Sequence, residues 1–521
     1  MNPPKLLHVN PHDAQNPIEL CLEEAFFHLQ PQLKPPFPLT IPSPSQYSQL
    51  NHAIAYGILT DPHLARTHLT HLHAIVTDGY GIFTAILVKL CNEFYSKLLE
   101  IPRAQLIWVC SKLVQVSAVG IELLAISLLR QILGGDFKEP NLWLCVELLK
   151  ILSCNWDWLL DEPLVLTSAL FVYLRLLADH YRLVGSVKLE ELKRLEIDFC
   201  VKALRECFGL CLRIGRDLVR LLQDLVYIPE FRDVWKDLLF DPKKFGVLGF
   251  ADISEIYRVR TPNHYLLLRI TPEMESQLRF LLTFVKFGNQ KRYQLWFAKK
   301  HLSGPGYETI VSDIVRFICC AHHPSNEIIQ SDVISRWAVI GWLLKCCKRN
   351  YFEANAKLAL LYDWLFFDEK VDNIMNIEPA MLLMVNSIPQ YLDITHTLLE
   401  FLFLLVDNYD VARRELIVRG VSTSFSMLVK RGVVHSLESL TSCAPLSPFL
   451  REKLTSLLAG SSCRVVKPVT GLLNKHRESD GEVAPSSPSS QEDQHKANPK
   501  LCNRSVRIPT MLPCATDNEN C

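Results

Sequence analysis

Three groups of residues carry the types and spacings that chemistry needs. The first is VKFGNQKRYQLWFAKK, Val285 to Lys300, where Lys286, Lys291, Arg292, Lys299 and Lys300 stand among Phe287, Tyr293, Trp296 and Phe297. No Asp or Glu occurs between Ser276 and Tyr307. Cations that follow phosphates, set among rings that stack on bases, are what a single-strand nucleic-acid binder uses. The same composition arises where an amphipathic helix buries its rings and lets its lysines reach water.

The second group is HLARTHLTHLH, with His63, His68, His71 and His73. His68 and His71, at i and i+3, could share a metal on one helix face. No carboxylate or thiol stands at ligand spacing nearby, so capping or surface histidines are expected. The third is CCAHHP, Cys319 to Pro324, where thiols sit beside imidazoles. A zinc site there would need Cys346 and Cys347 as its second pair. A helix end is the simpler reading, since Ile314, Phe317 and Ile318 precede the motif and Pro324 follows it. A Cys/His nucleophile has no oxyanion-hole loop to work with. Phosphate-binding, dinucleotide, zinc-protease and nucleophile-elbow motifs do not occur. No catalytic, cofactor-binding or metal residue is assigned, no cofactor is expected, and no enzyme activity is expected.

The elements that must position these residues read as helix after helix from Pro17 to Gly460. Thr271-Pro272-Glu273 opens one helix, with Pro in the first turn and Glu near the positive end. Met274, Leu278, Leu281, Leu282 and Val285 form its apolar face, and Gly288-Asn289 breaks it. A second helix from Gln290 is expected to bury Tyr293, Trp296 and Phe297, leaving Lys291, Arg292, Lys299 and Lys300 off that stripe, where with Lys286 they would face an acidic partner or a phosphate backbone. Farther along, Ser331 is expected to cap a helix carrying Val333, Trp337, Ile340 and Leu344 on one face. NHYLLLRI, Asn263 to Ile270, is the best strand candidate and supports no sheet. QLKPPFPLTIPSPSQYSQ, Gln32 to Gln49, reads as an ordered crossing or exposed loop. The pattern predicts an all-α protein, an irregular HEAT-like α-solenoid of stacked helical hairpins. Residues 1–16 are expected to be a flexible amino terminus, 17–460 the helical scaffold, and 461–521, polar and rich in Pro and Ser, a disordered tail.

Composition narrows the function. Lys+Arg and Asp+Glu are both 55, so the net charge is zero. A domain dedicated to a nucleic-acid backbone carries a basic excess, so any such contact here is local or delegated to a partner. Seventeen cysteines occur without a C-x-x-C and without a leading signal segment, which predicts reduced, buried thiols. Cys200, Cys207 and Cys211, at i, i+7 and i+11, fit one helix side. The apolar run from Pro163 stops at Arg175, short of the roughly 20 residues a membrane span needs. A soluble intracellular protein with no membrane contact is expected.

Three long strings carry a more specific signal: TPEMESQLRFLLTFVKFGNQKRYQLWF, HPSNEIIQSDVISRWAVIGWLL and AKLALLYDWLFFDEKVDNIMNIEPAMLLM. Together, through roughly Thr271 to Asn408, they resemble the amino-terminal half of the Integrator complex subunit 3 family. That family is also known as a component of the SOSS complex, the sensor of single-stranded DNA. LVYIPEFRDVWKDLLFDP resembles it as well. The resemblance implies a non-enzymatic helical-repeat scaffold that docks a small OB-fold single-strand DNA-binding protein and a small third SOSS subunit. It also implies contact with other Integrator subunits, and a link to RNA polymerase II and small nuclear RNA 3′-end processing. A role in the DNA damage response and double-strand break repair follows in the same way, with the nucleus as the main compartment and the cytoplasm as the second. Single-stranded DNA would then be held mainly indirectly, by the groove of the OB-fold partner.

Members of the family continue into a second helical domain that mediates self-association. Its functions are not carried over, because this chain passes into the polar tail after Gly460. Two alternatives stand beside the scaffold: direct single-strand binding through the basic 286–300 hairpin, and a generic helical-repeat adaptor. Ser45-Gln46, Ser48-Gln49 and Ser490-Gln491, with Ser487-Pro488, resemble kinase sites.

Overall fold

The helix signals become 26 α-helices between Pro17 and Ser462. The computed structural model describes residues 5–8, 16–37, 41–185, 187–304 and 306–462. Among them there is no strand, only the isolated bridges Leu7 to Leu98 and Lys286 to Val333. The starts follow local chemistry. Pro17, Pro44, Pro163, Pro229 and Pro272 each open a helix, where a missing N–H is no loss. Asn16 Oδ1 accepts from the amide of Ile18 at 2.9 Å. Ser43 and Gln46 form a reciprocal capping box, satisfying two donors that a helix start leaves open.

Packing is mostly between near neighbours in sequence, as an α-solenoid requires. Pro17–Leu29 lies on Pro44–Thr60, which also meets Ala65–Ile75, Gly81–Phe94 and Glu100–Gln115. In the middle, Val187–Glu206 lies on Glu139–Cys154 and Pro163–His180. At the far end Asn350–Leu365 meets Arg414–Lys430, which meets Pro448–Ser462. Gly420 allows a close crossing between Asn350–Leu365 and Arg414–Lys430. A Cβ there would lie 2.4 Å from the Leu365 carbonyl oxygen, so only glycine lets the two backbones meet. One apolar cluster runs through the body from Leu6 to Leu454. The protein is an all-α, solenoid-like stack.

The helix Pro163–His180 is long and apolar enough to cross a membrane by length and composition. Every side chain from Val165 to His180 is instead buried within the protein. Its Arg175 donates to Asp179 at 2.7 Å and to the Thr309 carbonyl at 2.8 Å. These are the partners of a core helix.

Four local expectations change. NHYLLLRI holds the helix Asn263–Leu267 and no strand. Ser331 does not open the predicted helix but closes the preceding one, Asn326–Gln330; the later helix is Arg336–Cys346 with Ser335 as its flanking residue, and Val333 lies in an extended segment paired with Lys286. Backbone pairing with the hairpin turn outweighed helix periodicity there. The proline-rich segment becomes helical from Pro44, because Ser43 caps it and Pro44 takes the first turn. Within the segment expected to be flexible, Lys5 to His8 are held. Leu6 and Leu7 are buried, and both amides donate to the Glu19 carboxylate, at 2.8 and 3.1 Å. The expected disordered tail lies outside the described residues.

Candidate functional site

The basic stretch folds as the predicted hairpin, Pro272–Phe284 and Gln290–His301, with Gly288 at φ +98° in the turn. Thr271 Oγ1 accepts from the Met274 amide at 3.2 Å and fixes the first start. The turn is clamped to the body on both sides. Phe287 N–H donates to the Asp332 carbonyl, and Ile334 N–H to the Val285 carbonyl, each at 2.9 Å. Between the helices, His301 Nε2 meets Gln277 Oε1 at 2.6 Å. Glu275 reaches Arg130 at 2.5 Å and so ties the hairpin to an earlier part of the stack. Burial, then the neighbouring Lys300, pushes His301 down to about 4, so it is a neutral strut at physiological pH.

The expected burial of the rings is corrected. Phe297 is buried and faces Trp342 edge-on, but Tyr293 is 37% and Trp296 48% exposed. The reason is geometric: the second helix rests on the body through a narrow line at Phe297 and His301. Trp296, one position from Phe297, is turned about 100° away from that line, and Tyr293, one turn before Phe297, lies beyond its end. Phe280 and Phe284 of the first helix are exposed too, and Phe280 lies 5.5 Å from Phe284 and 5.6 Å from Tyr293 between ring centroids. Phe280, Tyr293, Trp296 and Arg292 line an open groove of about 540 Å³ floored by Leu281 and Phe297.

The five cations divide. Lys286 pairs with Asp332 at 2.9 Å, and Lys300 pairs with Glu273 at 2.5 Å while lying 5.7 Å from the Trp296 ring centroid. Lys291, Arg292 and Lys299 are exposed and have no carboxylate partner among the described residues. The arrangement presents positive charge and open aromatic faces together.

The other two groups do not assemble a site. His68 and His71 are buried rather than on the surface, a correction to the expectation for that pair. The His68 ring fills the space beside Gly57, where a Cβ would meet it at 2.7 Å, and His71 stacks on Phe37 at 4.2 Å. Burial lowers both imidazoles below their usual pKa. His63 and His73 are exposed. No cluster of three metal-ligating side chains occurs among the described residues. At CCAHHP the helical segment ends at Ala321, as expected. Burial pushes the Cys319 thiol up to about 12, far from the thiolate a nucleophile needs. Cys320 donates to Asp363 at 2.9 Å.

That Asp363 belongs to a network the sequence pattern did not reveal. Arg316 reaches Asp217 at 2.6 Å and Asp363 at 3.0 Å. Arg216 reaches Asp363 at 3.3 Å and Asp372 at 3.0 Å, and Arg220 reaches Asp217 at 2.8 Å. Arg216 is fully buried. Although burial opposes its charge, Arg316 and Arg220 hold the Asp217 carboxyl well below the usual carboxylate range. A second set joins Arg175 to Asp179 and Asp313, and a third joins Arg336 to Glu378 at 2.6 Å. The available signal was a lone charge inside an apolar run: Arg175 in FVYLRLL, Arg316 in IVRFICC, Asp363 in LLYDWLF.

Comparison with known proteins agrees with the fold. Residues 45–456 match the family described as Integrator complex subunit 3 N-terminal. The chain is 37% identical to mouse Integrator complex subunit 3 over 441 residues, 83% of this chain and 42% of the mouse protein. It is 38% identical to the human protein over 428 residues, 80% of this chain and 41% of that one. The Dictyostelium discoideum homologue is 40% identical over 405 residues, 77% of this chain and 27% of its own length. The chain thus spans less than half the length of these relatives. With a match through nearly the whole described helical body, the chain belongs to the Integrator complex subunit 3 family.

Proposed function

We propose that the chain is a non-enzymatic scaffold subunit of the Integrator assembly, acting chiefly in the nucleus. In this reading it docks an OB-fold single-strand DNA-binding protein and the small third SOSS subunit, and contacts other Integrator subunits. It thereby serves the DNA damage response, double-strand break repair and small nuclear RNA 3′-end processing with RNA polymerase II. The family match over residues 45–456 carries the reading.

The chemistry supports it. The buried acids and bases Asp217, Asp363, Arg216 and Arg316 are neutralised by one another inside the stack. The thiols beside histidines are buried and protonated. What remains for function is extended helical surface, the usual binding element of a solenoid.

The test is affinity purification of the tagged 521-residue chain from nuclear extract, with the recovered proteins identified by mass spectrometry. An OB-fold single-strand binder together with Integrator subunits is expected. Recovery of neither from folded protein overturns the reading and leaves a generic helical adaptor.

A further inference from the structure

We propose that the exposed face of the Gln290–His301 helix, carrying Arg292, Tyr293, Trp296 and Lys299, is a direct contact for single-stranded nucleic acid, completed by Phe280 of the neighbouring helix. This goes beyond the scaffold reading, in which a partner holds the strand.

Spacing brings the four together. Positions 292, 293, 296 and 299 stand at i, i+1, i+4 and i+7, one side of a helix. All four are exposed. Rings and cations therefore share a surface instead of lying on opposite faces, which is how an ordinary amphipathic helix would divide them. Stacking needs open ring faces, and Trp296 and Tyr293 supply them at the edge of the groove they share with Phe280. Backbone tracking needs cations free to meet phosphates. Lys291, Arg292 and Lys299 are exposed and have no carboxylate partner among the described residues.

Charge decides between occupants. An apolar protein surface would bring no counter-charge to Arg292 and Lys299, while a polyanion with planar bases satisfies both halves of the face. The footprint is short. From Arg292 to Lys299 is about 10 Å along the axis, room for roughly two or three nucleotides of an unstacked strand. The adjoining cleft, which shares Ser276 and Gln277 with the groove, sets Glu93, Asp136 and Glu273 beside Lys97 and Arg103, so the uncompensated positive charge stops at its edge. A contact this small is weak alone and gains most when the strand is already held nearby, by raising its effective concentration.

The experiment is fluorescence anisotropy of a labelled 12-nucleotide oligothymidylate with the full 521-residue chain at about 50 mM salt. Saturable binding is expected, weakening with salt along a log–log slope of about −2, since three phosphate contacts contribute about −0.7 each. Arg292→Ala with Lys299→Ala, and separately Trp296→Ala, should each weaken binding about tenfold. Trp296→Phe should retain most of it. Lys236→Ala should change nothing. Oligouridylate should bind like oligothymidylate, because stacking tolerates either sugar, and a 12-base-pair duplex should bind less well because its bases are already stacked. Circular dichroism and melting curves establish that each variant folds. Absence of saturation, binding indifferent to the face variants, or equal affinity for duplex would overturn the proposal. So would a peptide of alternating glutamate and phenylalanine binding this face where oligothymidylate does not, which assigns it to an acidic protein segment.

Discussion

Arg316 and Arg292 sit in one helical body and differ in what surrounds them. Arg316 is buried, held by Asp217 and Asp363 at 2.6 and 3.0 Å. Arg292 lies in the open beside Tyr293 and Trp296, with no carboxylate partner among the described residues. Pairing, and not residue type, separates cations that hold the stack together from cations free to meet a ligand. Removing a charge should therefore have opposite consequences in the two regions: lost stability with nothing to bind in one, lost binding with unchanged stability in the other.

The contrast breaks most visibly at Asp363. Asp363→Ala removes the carboxylate that Arg216 and Arg316 share, leaving Arg216 with Asp372 alone and Arg316 with Asp217 alone, and urea denaturation should register a loss of about 3–5 kcal/mol. A loss under about 1 kcal/mol would mean water reaches the network and burial is not what distinguishes it. Within the hairpin, Phe297→Ala should cost about 3 kcal/mol through lost burial and a cavity. Trp296→Ala, one residue away and half exposed, should cost under about 1 kcal/mol. Equal losses would mean that the ring faces are covered in solution.

Acid should act on the buried side alone. His301 and His322 are pushed down to about 4, by burial first and by nearby cations second. Unfolded histidines titrate near pH 6.5, so between about 6.5 and 4 the unfolded state binds more protons. Stability, complete above that window, falls as pH falls through it, by on the order of 2 kcal/mol for each histidine. Denaturation curves at pH 7.5, 6, 5 and 4.5 measure this, and His322→Gln should flatten the slope. Smallest of all, Lys286→Ala and Lys300→Ala break exposed ion pairs with Asp332 and Glu273 and should shift stability by about 0–1 kcal/mol.

What could be read from the sequence depended on whether the signal was local. The hairpin could be read residue by residue, because a Thr cap, a first-turn Pro and a Gly break are local chemistry. Which of its rings were covered could not. Tyr293, Trp296 and Phe297 have equal claims by periodicity, and only the narrow seat against Trp342 selects Phe297. His68 and His71 looked like surface residues for the same reason, since nothing in their spacing reveals Gly57 and Phe37 beside them. The charge network joins Arg216 to Asp363 and Asp372 across about 150 residues, a separation no pattern spans. Long strings sufficed for the family, and the family match extends it to residues 45–456.

If this helical body is a docking platform for an OB-fold single-strand binder, the two proteins must associate without help. Sedimentation velocity of the purified chain, mixed with a purified OB-fold single-strand DNA-binding protein from the same organism, measures that association. A one-to-one complex that persists at about 1 μM and still carries oligothymidylate is predicted. Two species that sediment independently at about 50 μM would contradict it.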